Sequence, residues 1–167
     1  MRVRPETDAD RAAVHAVNEA AFETPAEANL VETLRAKGVE LISLVADADG
    51  AVVGHILFSP VSLIGQSHLN LAGLGPMAVA PQHQRKGIGS ALVREGLNRC
   101  KQRGCHAVVV LGYAEYYPRF GFVPAVRYGL RSEYDVPDDV FMLAELERGA
   151  LQGASGLIRY DEAFAGV

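Results

Sequence analysis

Two glycines one residue apart, Gly87 and Gly89, open the strongest helical repeat in the chain, just behind a strand-like run that ends at Ala80-Pro81. Below them Ile88, Leu92, Gly96 and Cys100 form one apolar column, and Gly89, Val93 and Leu97 form a second. Arg94, Glu95, Asn98, Arg99, Lys101 and Gln102 cover the remaining surface. The pattern predicts a helix from Arg85 to Arg103, closed by Gly104. After it, Ala107 to Leu111 is wholly apolar, as strands buried on both faces are. A strand, a helix and a second strand in this order call for a right-handed crossover that sets the strands side by side or nearly so. The chain is therefore expected to be mixed α/β.

Glycine in a helix costs about 1 kcal/mol relative to alanine, so two in a first turn call for a compensating cause. The leading amides of a helix lack intrahelical acceptors and carry the positive end of its dipole. Without a Cβ, the backbone at Gly87 and Gly89 lets a bulky anion approach closely, and Arg85 and Lys86 add charge. Gln84 to Ser90 thus has the makings of a phosphate cradle; tight helix–sheet packing is the alternative explanation of its glycines. No Gly-Lys-Ser/Thr ending of a P-loop is present, and the third glycine of the dinucleotide fingerprint is missing.

The rest of the chain supplies a frame for this unit. Met1 to Arg4 alternates as a short strand, and Asp8 or Asp10 can cap a helix running to Phe22. Pro25 suits the first turn of a second helix that Gly38 would close. Strands are expected at Leu41 to Ala46, at Ala51 to Ile64 with a break or bulge near Gly54 and Pro60, and at Leu69 to Val79. Asp49-Gly50 is a hairpin turn between the first two. A helical turn at Glu115 to Phe120 and short strands at Gly121 to Val123, Val140 to Leu146 and Gly156 to Tyr160 complete the expectation.

At 167 residues, one domain over 1–167 is expected, with a core about 1–124 and a tail 125–167 adding strands. A net charge of −4 offers no basic surplus for nucleic acid. No apolar run approaches the ~20 residues that span a bilayer, and the N-terminus lacks a secretory apolar core, so a cytoplasmic place is expected. Cys100 and Cys105 have no metal-binding pattern around them and are read as reduced and structural. No metal site is expected.

Gln84-Arg85-Lys86-Gly87-Ile88-Gly89 resembles the Gln/Arg-x-x-Gly-x-Gly/Ala signature of the GNAT superfamily of acyl-CoA-dependent N-acyltransferases. Met77-Ala78-Val79-Ala80-Pro81 is similar to that family's fourth strand and following turn, and Tyr117 to Phe122 to its Tyr-x-x-x-Gly-Phe element. The tail resembles that of a bacterial subgroup of unassigned substrate. The resemblance implies a mixed, mostly antiparallel sheet flanked by helices, with a splayed V between strands 4 and 5 that admits the pantetheine arm of coenzyme A. It also implies backbone contacts to that arm from Met77, Ala78 and Val79, and pyrophosphate held by amides from Gln84, Arg85, Lys86, Gly87, Ile88, Gly89 and Ser90.

The implied activity moves an acetyl group from acetyl-CoA, as cosubstrate, to a primary amine of a small molecule by direct attack in a ternary complex. Tyr117 would be the general acid for the leaving thiolate, since a phenol of pKa about 10 suits that task; packing beside the cofactor is the alternative role. The family's strand-four glutamate is missing from Leu69 to Leu74, so ordered water with His55, His68 or Asn70 as relay takes the place of a direct base. His55 also reads as a core histidine. Glu19, Glu23 and Glu27 lie in the region that borders the acceptor in the family, and the acidic stretch Arg131 to Asp139 can line or lid the same pocket. Alternatives are a non-catalytic coenzyme A sensor and a protein acetyltransferase. A homodimer through tail strands is the expected assembly.

Overall fold

The computed structural model describes residues 1–167. They form two compact units, and β3 (Ala51–Leu63), β4 (Gln66–Val79) and α3 (Ile88–Gln102) each contribute residues to both.

The first unit comprises Met1–Ser59, Gly75–Gly96 and Glu162–Val167. Here β1 (Arg2–Pro5), β2 (Ile42–Ala48) and β3 pair antiparallel, with Arg4 opposite Val45 and Val45 opposite His55. The hairpin turn at Asp49-Gly50 has φ of 52° and 90°, the double positive φ of a type I′ turn. The expected irregularity near Gly54 is a register slip at Ala46/Asp47, opposite Gly54 and Val52. Pro60, by contrast, is exposed in an unbroken strand.

Helices α1 (Arg11–Ala21) and α2 (Ala26–Ala36) form a hairpin whose inner face joins Val14, Leu30, Val31 and Leu34 to Val45 and Leu57. Full burial of such aliphatic side chains contributes about 1.5–3 kcal/mol each. Asp10 does not cap α1 through its side chain. Its carboxylate accepts instead from the Thr7 amide at 2.7 Å and from Arg4 at 2.7 and 3.0 Å. That pairing with Arg4 holds the acid well below the usual carboxylate range. On α3, a Cβ at Gly54 of β3 would meet Leu92 at 3.1 Å and Ile88 at 3.2 Å, and one at Gly96 would enter the Phe58 ring. These two glycines are the ones explained by close helix–strand packing.

The second unit comprises Pro60–Leu74 and Leu97–Asp161. Its strand order is β3-β4-β5-β8-β6, with β9 pairing β3 and β7; the added strands are β5 (Ala107–Leu111), β6 (Val123–Pro124), β7 (Leu130–Ser132), β8 (Phe141–Glu145) and β9 (Gly156–Arg159). The β4–β5 ladder is parallel, from Leu71 opposite Ala107 to Leu74 opposite Val110, whereas β5–β8 is antiparallel. A strand paired on both edges and covered on both faces explains why Ala107 to Val110 are almost wholly buried. β3–β9 and β6–β8 are antiparallel and β7–β9 is parallel, so the sheet is mixed and mostly antiparallel.

Several boundaries differ from expectation by a residue or more, and three of the differences bear on local geometry. β6 starts two residues late, because Gly121 at φ 94° first ends a 3-10 turn. β7 occupies part of the stretch read as a polar loop, with Leu130 and Ser132 turned inward and Arg131 outward. The third, at the start of α3, belongs to the candidate site.

Candidate functional site

The cradle lies in the first unit. The β4–β5 ladder ends at Leu74, and Gly75, at φ 151°, leads through a cis bond to Pro76. Met77 and Val79 are half-buried and Ala78 is buried, the alternation of a strand. Ala80 donates to the Val53 carbonyl at 2.9 Å, and a 3-10 turn at Pro81–His83 follows. Gln84 turns its side chain back, Nε2 donating to the Val79 carbonyl at 2.9 Å. Its contribution is to hold the loop against the strand, and only its backbone faces onward.

Helix α3 begins at Ile88, three residues later than the periodicity predicts. The cause is the backbone: Arg85 sits at φ 63° and Gly87 at φ 83°. The left-handed conformation is routine for glycine and unusual for a non-glycine residue such as arginine. Gly87 is therefore outside the helix, and the cost of glycine in a helix does not apply to it. A Cβ built on Gly87 meets nothing within 4 Å, so no packed neighbour accounts for this glycine and its φ does. The first bond of the α3 ladder runs from Ala91 N–H to the Gly87 carbonyl at 3.1 Å. The amides of Ile88 and Gly89 precede it, at the positive end of a helix of 15 residues. Arg85 and Lys86 are exposed beside them, and Ile88 anchors the turn in the core.

Tyr117 lies in the second unit, in a 3-10 turn at Tyr117–Phe120. Its ring stands edge-on to Tyr116 at 5.1 Å and to Phe122 at 5.5 Å. A Cβ on Gly112 would enter that ring, so glycine there makes room for it. Burial, with smaller effects of Tyr116 and Tyr113, pushes the phenol up to about 12. The ring is therefore packed among aromatic neighbours while its hydroxyl stays protonated at neutral pH. Arg119 lies 4.6 Å over the Tyr116 ring and donates to the Tyr116 carbonyl at 2.8 Å, bracing the turn.

The relay candidates separate. Asn70 uses its amide on His106 Nδ1 at 2.8 Å and its side chain on the Gly104 carbonyl at 3.2 Å, and His68 is exposed. His55 is fully buried in a network that sequence reasoning missed. Asn18 Nδ2 donates to the Val14 carbonyl at 3.0 Å and lies 3.0 Å from His55 Nδ1. An amide nitrogen held to a carbonyl is a donor, so Nδ1 is the bare nitrogen and Nε2 carries the proton. Nε2 donates to Ser43 Oγ at 2.9 Å, and Ser43 donates to Glu6 Oε1 at 2.7 Å. Arg35 closes the chain on Glu6 Oε2 at 2.6 Å. Burial, then the Arg35 charge, pulls the imidazole down to about 3. Both ring nitrogens are engaged, so His55 is a core histidine without a free lone pair for a substrate.

Cys100 and Cys105 are buried and form no disulfide, and no group of three or more His, Cys, Asp or Glu side chains forms a metal site. No helix is long and apolar enough to cross a membrane.

Comparison with known proteins agrees with this architecture. The model of the acetyltransferase (GNAT) family matches residues 11–122. Uncharacterized N-acetyltransferase YhbS of Escherichia coli K12 is 38% identical over 165 residues, which cover 98% of each chain. The crystal structure of the E. coli YhbS protein in complex with CoA superposes with a TM-score of 0.94 at 37% identity, covering 98% of this chain and 91% of that one. A GNAT family acetyltransferase from Brucella melitensis, in complex with acetyl-CoA, gives 0.81 at 34% identity, covering 98% and 97%.

Proposed function

The chain belongs to the acetyltransferase (GNAT) family, and on that premise we propose that it moves an acetyl group from acetyl-CoA to a primary amine of a small molecule. The observation that carries this is the left-handed entry to α3, Arg85 at φ 63° and Gly87 at φ 83°, ahead of leading amides for which the helix ladder supplies no acceptor. Those amides, with Arg85 and Lys86, fit a pyrophosphate. In β4, Met77 and Val79 would hold the pantetheine arm through their backbone. The Val79 carbonyl already accepts from Gln84, so that arm takes its contacts from the other backbone groups.

Acetyl-CoA supplies the thioester whose carbonyl carbon a neutral amine attacks within a ternary complex. The C–N bond forms, the C–S bond breaks, and the thiolate takes a proton from Tyr117. A phenol raised to about 12 is a weaker acid than an ordinary tyrosine. Against a thiol of pKa about 8.5 in water that transfer is uphill. Burial raises a thiolate's proton affinity in the same way as it does the phenol's, which reduces the mismatch. The elevated pKa also keeps Tyr117 protonated across the working range. With no acid between Leu69 and Leu74, and with His55 and Asn70 engaged, the proton lost by the amine leaves through water.

A cytoplasmic place belongs to the same proposal, since two buried cysteines without a disulfide suit a reducing compartment. The test is a panel of small amines assayed with acetyl-CoA, reading released thiol. Release that depends on the amine and disappears without acetyl-CoA is expected; coenzyme A binding with no turnover on any amine would refute the proposal.

A further inference from the structure

The two cysteines of the chain meet across the C-terminal cap of α3. Gly104, at φ 85°, ends the helix in the left-handed conformation. Its amide donates to the Lys101 carbonyl at 3.0 Å, and the Cys105 amide donates to the Cys100 carbonyl at 3.0 Å. A cap closed by this pair of bonds sets the side chains of its two end positions against each other. Here those positions are Cys100 and Cys105, and their thiols lie within hydrogen-bonding reach. Backbone bond lengths and the 3.0 Å hydrogen bond keep the two Cα atoms within about 6.9 Å. A disulfide needs backbone movement only beyond about 7 Å. β4 pins the chain on both sides of Cys105: Asn70 Nδ2 donates to the Gly104 carbonyl at 3.2 Å, and the His106 amide donates to the Asn70 carbonyl at 2.7 Å.

Neither thiol has a part in the acyl transfer described above. The two differ in access: Cys100 is fully buried, whereas Cys105 keeps 8% of its area at the surface. We propose that the pair is a reversible oxidation site, which a peroxide closes to an intramolecular disulfide. The Cys105 sulfur attacks one oxygen of hydrogen peroxide, the O–O bond breaks, and a sulfenic acid and a water form. Cys100 then attacks the Cys105 sulfur. The S–S bond forms, the S–O bond breaks, and the Cys100 proton leaves with the hydroxyl as a second water. Two electrons and two protons thus pass from the thiols to the peroxide. Contact with Cys105, then burial, holds the Cys100 thiol above the usual range, so it stays protonated and meets the oxidant through Cys105. In a reducing compartment the dithiol is the resting form, and excess small thiol reopens the bond.

The test treats the folded wild type with hydrogen peroxide, then unfolds it, alkylates it with N-ethylmaleimide and weighs it by mass spectrometry. A monomer lighter by two hydrogens, with neither cysteine alkylated, is expected, and dithiothreitol should restore both thiols. Cys100→Ala lacks the second thiol and should stop at a sulfenic acid on Cys105 that dimedone labels. Cys105→Ser should lose its one thiol at least about tenfold more slowly than the wild type loses its pair. Both thiols alkylated after peroxide, a disulfide-linked dimer, or oxygen-bearing cysteines in place of the disulfide would each overturn the proposal. So would a Cys105→Ser variant that reacts as fast as the wild type. Closure should be complete without denaturant; closure that occurs only as the protein unfolds in urea would show that the cap does not bring the thiols together, and the proposal would fall.

Discussion

Acid should weaken this protein earlier than its carboxylates alone would, and His55 is the reason. In the folded state its Nδ1 accepts from Asn18 and its Nε2 donates to Ser43, at 3.0 and 2.9 Å. A second ring proton would have to point at the Asn18 amide, which is already a donor. Burial places the folded imidazole at about 3, against 6.5 for an exposed one. A folded pKa below the unfolded one means that the unfolded chain binds the proton more readily. The stabilising contribution is thus complete above pH 6.5 and is lost as pH falls from 6.5 towards 3. Each pH unit in that window corresponds to about 1.4 kcal/mol, so going from pH 7.5 to pH 4.5 should remove about 2.7 kcal/mol through this residue. The interval from pH 7.5 to 4.5 lies above the unfolded-state value of 3.8 of Asp10 and Asp47, both held low by Arg4 in the folded chain. The assay is urea unfolding followed by circular dichroism at several pH values between 7.5 and 4.5, for the wild type and His55→Gln. The variant should be less stable at pH 7.5, since Asn18 loses its acceptor, but its stability should change less with pH. Parallel pH curves for the two proteins would show that the imidazole titrates normally, and the tautomer argument would fail with them.

Other consequences follow from the same geometry. Gly87→Glu places a bulky carboxylate beside the leading amides of α3, and coenzyme A affinity by calorimetry should fall by about two orders of magnitude, with a stability loss no larger than the about 1–2 kcal/mol of a non-glycine residue in left-handed backbone; undiminished affinity would displace the pyrophosphate from α3. Tyr117→Phe should retain coenzyme A affinity and the aromatic cluster while kcat falls about a hundredfold to ten-thousandfold, the range of one lost acid in proton transfer; an unchanged kcat would reduce Tyr117 to its packing role. Gly96→Ala drives a methyl group into the Phe58 ring, and should cost about 1–3 kcal/mol in urea unfolding. An alanine tolerated there at no cost would mean that α3 can shift away from β3.

Local signals made much of this protein legible in its sequence. Apolar periodicity locates α3, Asp49-Gly50 locates its hairpin, and the unbroken apolar run Ala107 to Leu111 locates a strand that is paired on both edges. Each depends on residues a few positions apart. The motif from Gln84 to Gly89 and the element from Tyr117 to Phe122 pointed to the family that the comparisons confirm. The backbone at Gly87 was beyond periodicity. A helical pattern counts apolar positions and cannot show that Arg85 and Gly87 adopt left-handed dihedrals, so the helix began three residues too early. Phosphate-cradle and packing explanations of glycine also look alike in sequence; contact with Phe58 assigns Gly96 to packing, whereas a Cβ on Gly87 meets no packed neighbour.

What the chain alone determined is therefore the element order, the helix that begins behind a glycine-rich turn, and the class of ligand such a turn can seat. These follow from spacing along one polymer. The tertiary structure decided which side chains are unavailable: Gln84 turned onto Val79, Asn70 held by His106, and His55 locked by Asn18 and Ser43. His55 is 37 residues from Asn18 and 12 from Ser43, and hydrogen bonds across such separations exist only once a helix and two strands have packed together. Burial then sets the protonation of His55 and Tyr117, a property of surroundings that no neighbouring residue in the sequence specifies.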